Sequence, residues 1–147
     1  MEDYVDLNLP SKTLWAKYNV GANEPQQYGT YFTFEESLKI GTLPSKEQIK
    51  ELYDNCDKIV TEYKSVKGIQ FMGKNMKCLF IPFAGYCFDD DEEPYSDKEE
   101  AHLWSNRLDT YFSIYSYCLG LYNNGKINGN ESLLNDVKIS VRLVALA

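Results

Sequence analysis

The stretch TLPSKEQIKELYDNC, residues 42–56, predicts the main helix of this protein. Ser45 can accept a hydrogen bond from the backbone amide of Gln48, and the Gln48 side chain can reach back to Ser45, which is a capping box. Apolar residues then recur at spacings of three and four: Ile49, Leu52, Tyr53, Cys56, Ile59 and Val60. This spacing puts them on one helical face, so we expect that face to pack on the core while the charged face is solvated.

Segments on both sides of this helix have the composition of strands. Their ranges are 4–7, 30–34, 68–82 (two strands around a turn at 73–75), 102–106, 110–122 and 137–146. In the last range, alternation puts Val137, Ile139, Val141 and Leu143 on one face, and Lys138, Ser140 and Arg142 on the other. The Asn- and Gly-rich range 123–136 predicts a loop. One helix among many short strands indicates an α+β domain.

Composition places the chain among folded, acidic proteins. Its 147 residues predict one domain spanning 1–147, and a hydrophobic content of 44% excludes a disordered chain. The formal net charge of −7 argues against a nucleic-acid partner, because phosphate groups repel such a surface. No apolar stretch approaches the roughly 20 residues of a membrane-spanning helix, so we expect no membrane insertion.

The cysteines and the histidine offer little material for a zinc site. The cysteines are Cys56, Cys78, Cys87 and Cys118. They are widely spaced, without a CxxC motif, and His102 is the one histidine of the chain. Four cysteines allow three disulfide pairings, and the sequence does not choose among them. Free buried thiols that act as small apolar residues are the preferred interpretation.

Several segments, in order along the chain, resemble one known family. Residues 5–36, VDLNLPSKTLWAKYNVGANEPQQYGTYFTFEE, resemble the VDLGLPSGTLWA, NVGA and PEEYGDYFAWGE motifs of the Fibrobacter succinogenes major paralogous domain, common in Bacteroidetes. Residues 42–56 resemble its RLPT helix, and residues 69–86, IQFMGKNMKCLFIPFAGY, its IFLPAAGYR segment. HLWSN (102–106) resembles its YWSSS, and ISVRLVA (139–145) its terminal SVRPV. The chain departs from the pattern at Thr42, Cys87, Leu143 and Phe34, which replace Arg, Arg, Pro and Trp.

This resemblance implies a fold similar to C-type lectins and formylglycine-generating enzymes. Such a fold is a compact α+β domain with a small twisted antiparallel sheet, one main helix and long loops that display binding residues. Core or structural roles are expected for Trp15, Ile49, Leu52, Trp104 and Arg142. Function in that fold family runs from sugar binding to receptor recognition on phage particles, and the fold does not decide which applies.

An enzymatic role is not expected. Oxygen-dependent formylglycine formation needs a pair of reactive cysteines near the end of the domain, whereas Cys118 stands alone there. A Cys–His nucleophile pair would need His102, which lies in the segment resembling YWSSS, where an aromatic residue packs in the family. Because neither an activated nucleophile nor its base can be named, we predict a non-enzymatic protein.

The acidic range 88–100, FDDDEEPYSDKEE, raises the question of calcium. Asp89, Asp90, Asp91 and Glu92 offer oxygen ligands of the kind that calcium accepts. The spacing lacks the Gly and the closing Glu of an EF-hand loop. A solvated loop kept extended by self-repulsion is therefore preferred over calcium binding, and no other cofactor is predicted.

A tyrosine-rich segment is the candidate binding surface. Its residues are Tyr111, Tyr115, Tyr117, Tyr122, Asn123 and Asn124. The rings could stack on a sugar while the amides bind its hydroxyl groups, or the segment could form a subunit interface. We rank the interface first, because no charged residue occurs from 111 to 124. Packing within the sheet accounts for part of the set.

These observations predict an attachment protein on the exterior of a phage virion. It would be a head fibre or decoration protein of a phage that infects Bacteroidetes, assembled in the host cytoplasm. We expect a homo-oligomer, with a trimer typical of fibres, that contacts other virion proteins or a host-surface glycan or protein. The domain starts within a few residues of Met1 with no export leader, which disfavours the alternative: a secreted or cell-surface glycan- or protein-binding module of a Bacteroidetes bacterium.

Overall fold

The computed structural model describes residues 3–89, 93–108 and 114–146. Within them the helices are α1 (Phe34–Ser37) and α2 (Lys46–Asn55). The strands are β1 (Tyr4–Asp6), β2 (Thr13–Ala16), β3 (Asp57–Tyr63), β4 (Val66–Met72), β5 (Cys78–Pro82), β6 (Cys87–Phe88), β7 (Glu100–Leu108), β8 (Tyr115–Tyr122), β9 (Ile127–Leu134), β10 (Val137–Lys138) and β11 (Val144–Leu146). They form the antiparallel sheets β1–β2–β11, β3–β4–β5 and β7–β8–β9 and the pair β6–β10. The α+β prediction is therefore confirmed. Neither helix is long and apolar enough to cross a membrane.

Helix α2 begins where the sequence predicts. The Ser45 hydroxyl accepts from the Gln48 amide at 3.1 Å, and Gln48 Oε1 accepts from the Ser45 amide at 2.9 Å. The capping box is thus confirmed. The apolar face buries Ile49 and Leu52 completely, which joins the helix to the core.

The helix ends earlier than predicted. Its last residue is Asn55, because Cys56 adopts an extended backbone with φ −120° and ψ 148°. Ile59 and Val60 therefore belong to β3 and not to the helical face, and Ile59 is exposed. Their place in the apolar stripe was wrong.

The β3–β4 hairpin was missed because its turn contains no glycine. Lys64 and Ser65 connect the two strands with φ values of 50° and 69°. A two-residue hairpin turn with both residues in this left-handed region is usually formed by Asn-Gly or Asp-Gly. The turn at 73–75 was predicted, and β4 and β5 pair across it.

The predicted strand at 30–34 does not form. Phe32 makes only an isolated bridge with Ile139, with N···O distances of 2.8 and 2.9 Å. Thr33 instead caps α1, accepting from the Glu36 amide at 3.2 Å. The Phe32 carbonyl also accepts from the Trp104 indole at 2.8 Å, which ties this segment to β7.

The predicted loop 123–136 contains strand β9, which pairs with β8. Its polar composition reflects its position at the edge of the sheet. Asn130 and Ser132 are exposed there, whereas Glu131 and Leu133 are half-buried. Edge strands tolerate Asn, Gly and charged residues, so the composition did not reveal a strand.

The predicted strand 137–146 is divided into β10 and β11. Ile139 and Val141 are buried on their shared face, but Ser140 and Arg142 on the other face are buried as well. The predicted alternation of side chains between two faces was correct. The sequence did not indicate that both faces are covered by protein.

Arg142 lies in the interior without an acidic partner among its described contacts. Its Nε donates to Asn19 Oδ1 at 2.8 Å, and its Nη1 donates to the carbonyls of Ala16 and Phe80 at 3.2 and 3.1 Å. Burial lowers the pKa of Arg142 to about 9. These three acceptors hold the guanidinium between β2, β5 and the C-terminal segment.

The sheet β7–β8–β9 separates two hydrophobic cores. Leu103 and Leu119 point into a core that includes Ile49. Trp104 and Cys118, on the opposite face, point into a second core. The residues expected in core or structural roles are all fully buried: Trp15, Ile49, Leu52, Trp104 and Arg142.

The four cysteines all lie within the described residues, and none of them forms a disulfide bond. Cys56, Cys87 and Cys118 are buried, in keeping with the expectation for small apolar residues. Cys78 is exposed, because it opens β5 at the solvent-facing position of that strand. The expectation of burial was therefore wrong for Cys78.

We predict that Leu52→Asp prevents folding. The new carboxylate would be buried without a partner, at a cost of several kcal/mol, which is comparable with the whole stability of a typical domain. Circular dichroism with thermal melting measures this. Lys46→Asp is the matched control, because it puts the same side chain on the exposed first turn of α2 and should leave the melting temperature nearly unchanged. A cooperative melt of Leu52→Asp near the wild-type temperature would contradict the buried face assigned to α2.

Candidate functional site

One face of the sheet β7–β8–β9 forms the floor of a cleft. Side chains alternate along β8, so Cys118, Gly120 and Tyr122 share this face. The register places Glu100 opposite Tyr122, and His102 opposite Gly120. The floor therefore has polar and titratable groups above a hydrophobic core.

Gly120 leaves the space in which these groups meet. A Cβ atom at this position would lie only 2.7 and 2.8 Å from the two carboxylate oxygens of Glu131. An irregularity in β9 accompanies it, since Cys118 pairs with Glu131 but Gly120 pairs with Asn128. Without a side chain on the central strand, the Glu131 carboxylate crosses over β8 and reaches β7.

His102 lies between two carboxylates. Its Nε2 is 2.8 Å from Glu100 Oε1, and its Nδ1 is 2.6 Å from Glu131 Oε1. The imidazole is only 3% exposed. Burial opposes the positive charge, but the contacts with Glu131 and Glu100 outweigh it and raise the pKa of His102 above its ordinary value.

Glu131 contacts His102, Tyr122 and Cys118 and so connects the polar cluster. It accepts a hydrogen bond from the Tyr122 hydroxyl and one from the Cys118 thiol, with an Sγ–Oε1 distance of 3.8 Å. Burial by itself disfavours the carboxylate, but the close contact with His102 and the hydrogen bond from Tyr122 lower the pKa of Glu131 below its usual value. Burial and the nearby carboxylate raise the pKa of Cys118 well above that of a free thiol.

Aromatic rings form one wall of the cleft, whose volume is about 430 Å³. Tyr86 stacks on Tyr95 with ring centroids 5.9 Å apart and meets Phe88 edge to face at 5.5 Å. Phe88 and Tyr95 are 43% and 50% exposed, which is unusual for large aromatic side chains and leaves their rings accessible. Tyr86 also meets the imidazole of His102 edge to face, with ring centroids 6.1 Å apart, so the aromatic wall adjoins the floor of the cleft.

The structure distributes the predicted tyrosine segment over two faces. Tyr122 lines the cleft, whereas Tyr115 and Tyr117 alternate to the opposite face of β8. Asn123 and Asn124 follow in the turn between β8 and β9, where Asn124 Oδ1 accepts from the Lys126 amide. Tyr111 lies outside the described residues.

Residues 88–89 and 93–100 of the acidic range are described. Asp89 is exposed and has a φ of 43°. Asp90, Asp91 and Glu92 lie outside the described residues, so the calcium hypothesis stays a prediction.

Sequence reasoning missed Glu100, Glu131 and Tyr86 and treated His102 as structural. A signal for part of the site was present. Glu100 and His102 alternate along a strand that was predicted from residue 102, so they had to share a face. Nothing in the sequence indicated Glu131, because its strand was assigned to a loop.

The cluster also has the composition of a metal site. His102, Cys118 and Glu131 each offer one ligand atom, and these atoms lie within 4.8 Å of one another. As a nucleophile, however, Cys118 is poorly suited, since its raised pKa keeps it protonated and its hydrogen bond goes to Glu131 and not to His102.

Comparison with models of protein families, with curated proteins and with solved structures gives no match.

We predict that the one histidine of the chain titrates above its ordinary value of 6.5 in the folded protein. The measurement is NMR titration of the imidazole Cε1–H signal in buffer containing a chelator. Glu131→Gln should lower the pKa of His102, because it removes one of two attractive charges and leaves the burial that opposes protonation. Glu99→Gln, at the exposed neighbouring position, is the control and should leave it nearly unchanged.

The same shift makes stability depend on pH. Because the pKa of His102 is raised on folding, its protonation stabilises the fold fully below about 6.5, and this contribution disappears as pH rises through the folded value. Urea unfolding at several pH values measures it. A histidine that titrates at or below 6.5 would contradict the ion-paired geometry.

Proposed function

We propose that this protein is a non-enzymatic binding module that holds a saccharide in the cleft. The observation that carries the proposal is the placement of accessible aromatic rings beside half-buried carboxylates. Phe88 lines the cleft and presents a flat apolar face of the kind that packs on the C–H face of a sugar ring, and Tyr95 lies against it with ring centroids 5.6 Å apart. Glu100 and Glu131 are hydrogen-bond acceptors that suit sugar hydroxyl groups. Apolar walls with a few fixed polar groups are typical of small-ligand sites.

The charge of the cleft favours neutral or amino sugars. Among the described residues that line the cleft, two carboxylates face at most one positive charge, that of His102. The whole chain also has a net charge of −7. Sialic acids, uronic acids and phosphorylated sugars would therefore be repelled, whereas an ammonium group would be attracted by the carboxylates and the aromatic rings.

The absence of an activated nucleophile among the described cleft residues supports a binding role. Cys118 is held as a thiol, and Glu131 is held ionised by its donors. Glycoside hydrolysis needs a general acid whose carboxyl pKa is raised, whereas the pKa of Glu131 is lowered. The family resemblance adds to this the inference of a C-type-lectin-like fold.

We predict that the protein binds neutral or amino glycans on an array and that Phe88→Ala weakens this binding about tenfold, the loss expected for one aromatic contact. Tyr63→Ala is the matched control. Tyr63 is a 40% exposed aromatic residue on β3, away from the cleft, and its removal should leave binding unchanged. Preferential binding of acidic glycans, or equal loss in both variants, would reject the cleft as the saccharide site.

The setting of this module is a second part of the proposal. We infer display on the exterior of a phage virion, as a head fibre or decoration protein, with display on a bacterial surface as the alternative. The family resemblance supports binding modules of this kind. A cluster of exposed apolar side chains at one end of the sheet supports the homo-oligomer expected of a displayed protein: Leu108, Ile114 and Leu134 are 45%, 60% and 40% exposed. Tyr115 pairs with Leu134 at this end.

We predict that the protein copurifies at many copies per particle with phage from a lysed Bacteroidetes culture, measured by mass spectrometry across a density gradient. Recovery in the envelope or soluble fraction instead would favour the bacterial alternative.

Tyr115→Ala should reduce oligomerisation in light scattering, whereas Tyr63→Ala should not. A fully assembled Tyr115→Ala protein would count against an interface at this end of the sheet.

A further inference from the structure

Three side chains from adjacent strands converge at the floor of the cleft. His102 comes from β7, Cys118 from β8 and Glu131 from β9, and their ligand atoms lie within 4.8 Å of one another. We propose that His102, Cys118 and Glu131 bind one zinc-class divalent cation. The proposal does not depend on a saccharide ligand, because it rests on the floor of the cleft and not on the aromatic wall.

The orientation of His102 is the first argument. An ionised carboxylate can only accept hydrogen bonds, so the 2.8 Å contact with Glu100 Oε1 places a proton on Nε2. This leaves Nδ1 to point towards Glu131. A carboxylate that fixes the far nitrogen of a histidine is the usual support of a metal-binding imidazole.

The environment of Nδ1 is the second argument. Nδ1 is buried and makes no hydrogen bond of acceptable geometry, although Glu131 Oε1 is 2.6 Å away. In the neutral imidazole with its proton on Nε2, a nitrogen lone pair would then face an oxygen lone pair in a water-poor site. Such an arrangement requires a positive charge nearby, either a second proton on the ring or a bound cation.

The donor set selects the cation. One imidazole nitrogen, one sulfur and one carboxylate oxygen suit Zn²⁺, whereas Ca²⁺ and Mg²⁺ prefer oxygen ligands alone. Three protein ligands leave the fourth position of a tetrahedral ion for a water molecule or for a ligand atom in the cleft. Gly120 makes this set possible, because a side chain there would displace the Glu131 carboxylate.

Binding has a defined proton balance. The Cys118 thiol is buried and protonated in the free protein, so forming the zinc–sulfur bond releases one proton to the buffer and the sulfur keeps its electron pair. Where the His102 imidazole is charged, its Nδ1 proton leaves as well, because only the neutral ring can bind the ion through that nitrogen. No oxidant or reductant is involved. Zinc affinity should therefore rise with pH.

The test uses the full chain with Cys78→Ser, which removes the exposed thiol. After treatment with a chelator and dialysis, isothermal titration with ZnCl₂ should show one ion per chain. Titration in two buffers of different ionisation enthalpy should show that zinc binding by this parent protein releases protons to the buffer. Co²⁺ in place of zinc should give a thiolate-to-cobalt charge-transfer absorption, and CaCl₂ should not compete.

Variants separate the ligands from their support. Cys118→Ala and His102→Gln should abolish stoichiometric binding, and Glu100→Gln should weaken it about 10- to 100-fold as a supporting residue. Glu99→Gln should bind like the parent, because Glu99 is exposed. Circular dichroism establishes that each variant folds; if a ligand variant does not, the cobalt spectrum of the parent decides. Failure of the parent to bind zinc, a cobalt complex without thiolate absorption, or unchanged binding in folded Cys118→Ala would overturn the proposal.

Discussion

The buried guanidinium of Arg142 is the constraint on which much of the structure depends. A charge in the interior is costly unless it is hydrogen-bonded, and three acceptors on two parts of the chain bind Nε and Nη1 of this guanidinium, whereas Nη2 is buried without a partner among the described residues. Two of them are backbone carbonyls, at Ala16 and Phe80, which side-chain substitution cannot remove. The first sheet, the β3–β4–β5 sheet and the C-terminal segment are therefore held at fixed separations around one group.

The cleft follows from the path of that C-terminal segment. Between β10 and Arg142 the chain pairs with Phe32 through Ile139 and with Leu103 through Ser140. These bridges bring β10 beside β6, and β6 supplies Phe88 to the aromatic wall. The sheet β7–β8–β9 can then use its two faces differently. One face completes the core under α2, and the other places polar groups where aromatic rings surround them.

The parts of the structure that the sequence predicted are those in which local pattern and burial agree. The Ser45–Gln48 cap and the Ile49–Leu52 spacing determine α2, and the turn at 73–75 determines the β4–β5 hairpin. The errors have physical causes. Lys64 and Ser65 adopt a turn that their residue types do not suggest, Phe32 makes one isolated bridge without a full strand, and Cys56 leaves the helix although its apolar character continues the stripe. The site was hidden for a related reason. Glu131 is on a strand whose other residues look like a loop, and it meets His102 only because Gly120 has no side chain, a relation between three strands that no local pattern contains.

The position of Glu131 also affects how this chain behaves when other copies of it are close by. Strand β9 is at the edge of its sheet, and no described strand pairs with its outer side. Such an edge invites pairing with the same strand of another molecule and growth of an intermolecular sheet. The irregular register of β9 opposes this pairing, because a second strand would have to match the distortion. The irregularity that brings Glu131 to the floor of the cleft thus also opposes aggregation through this edge.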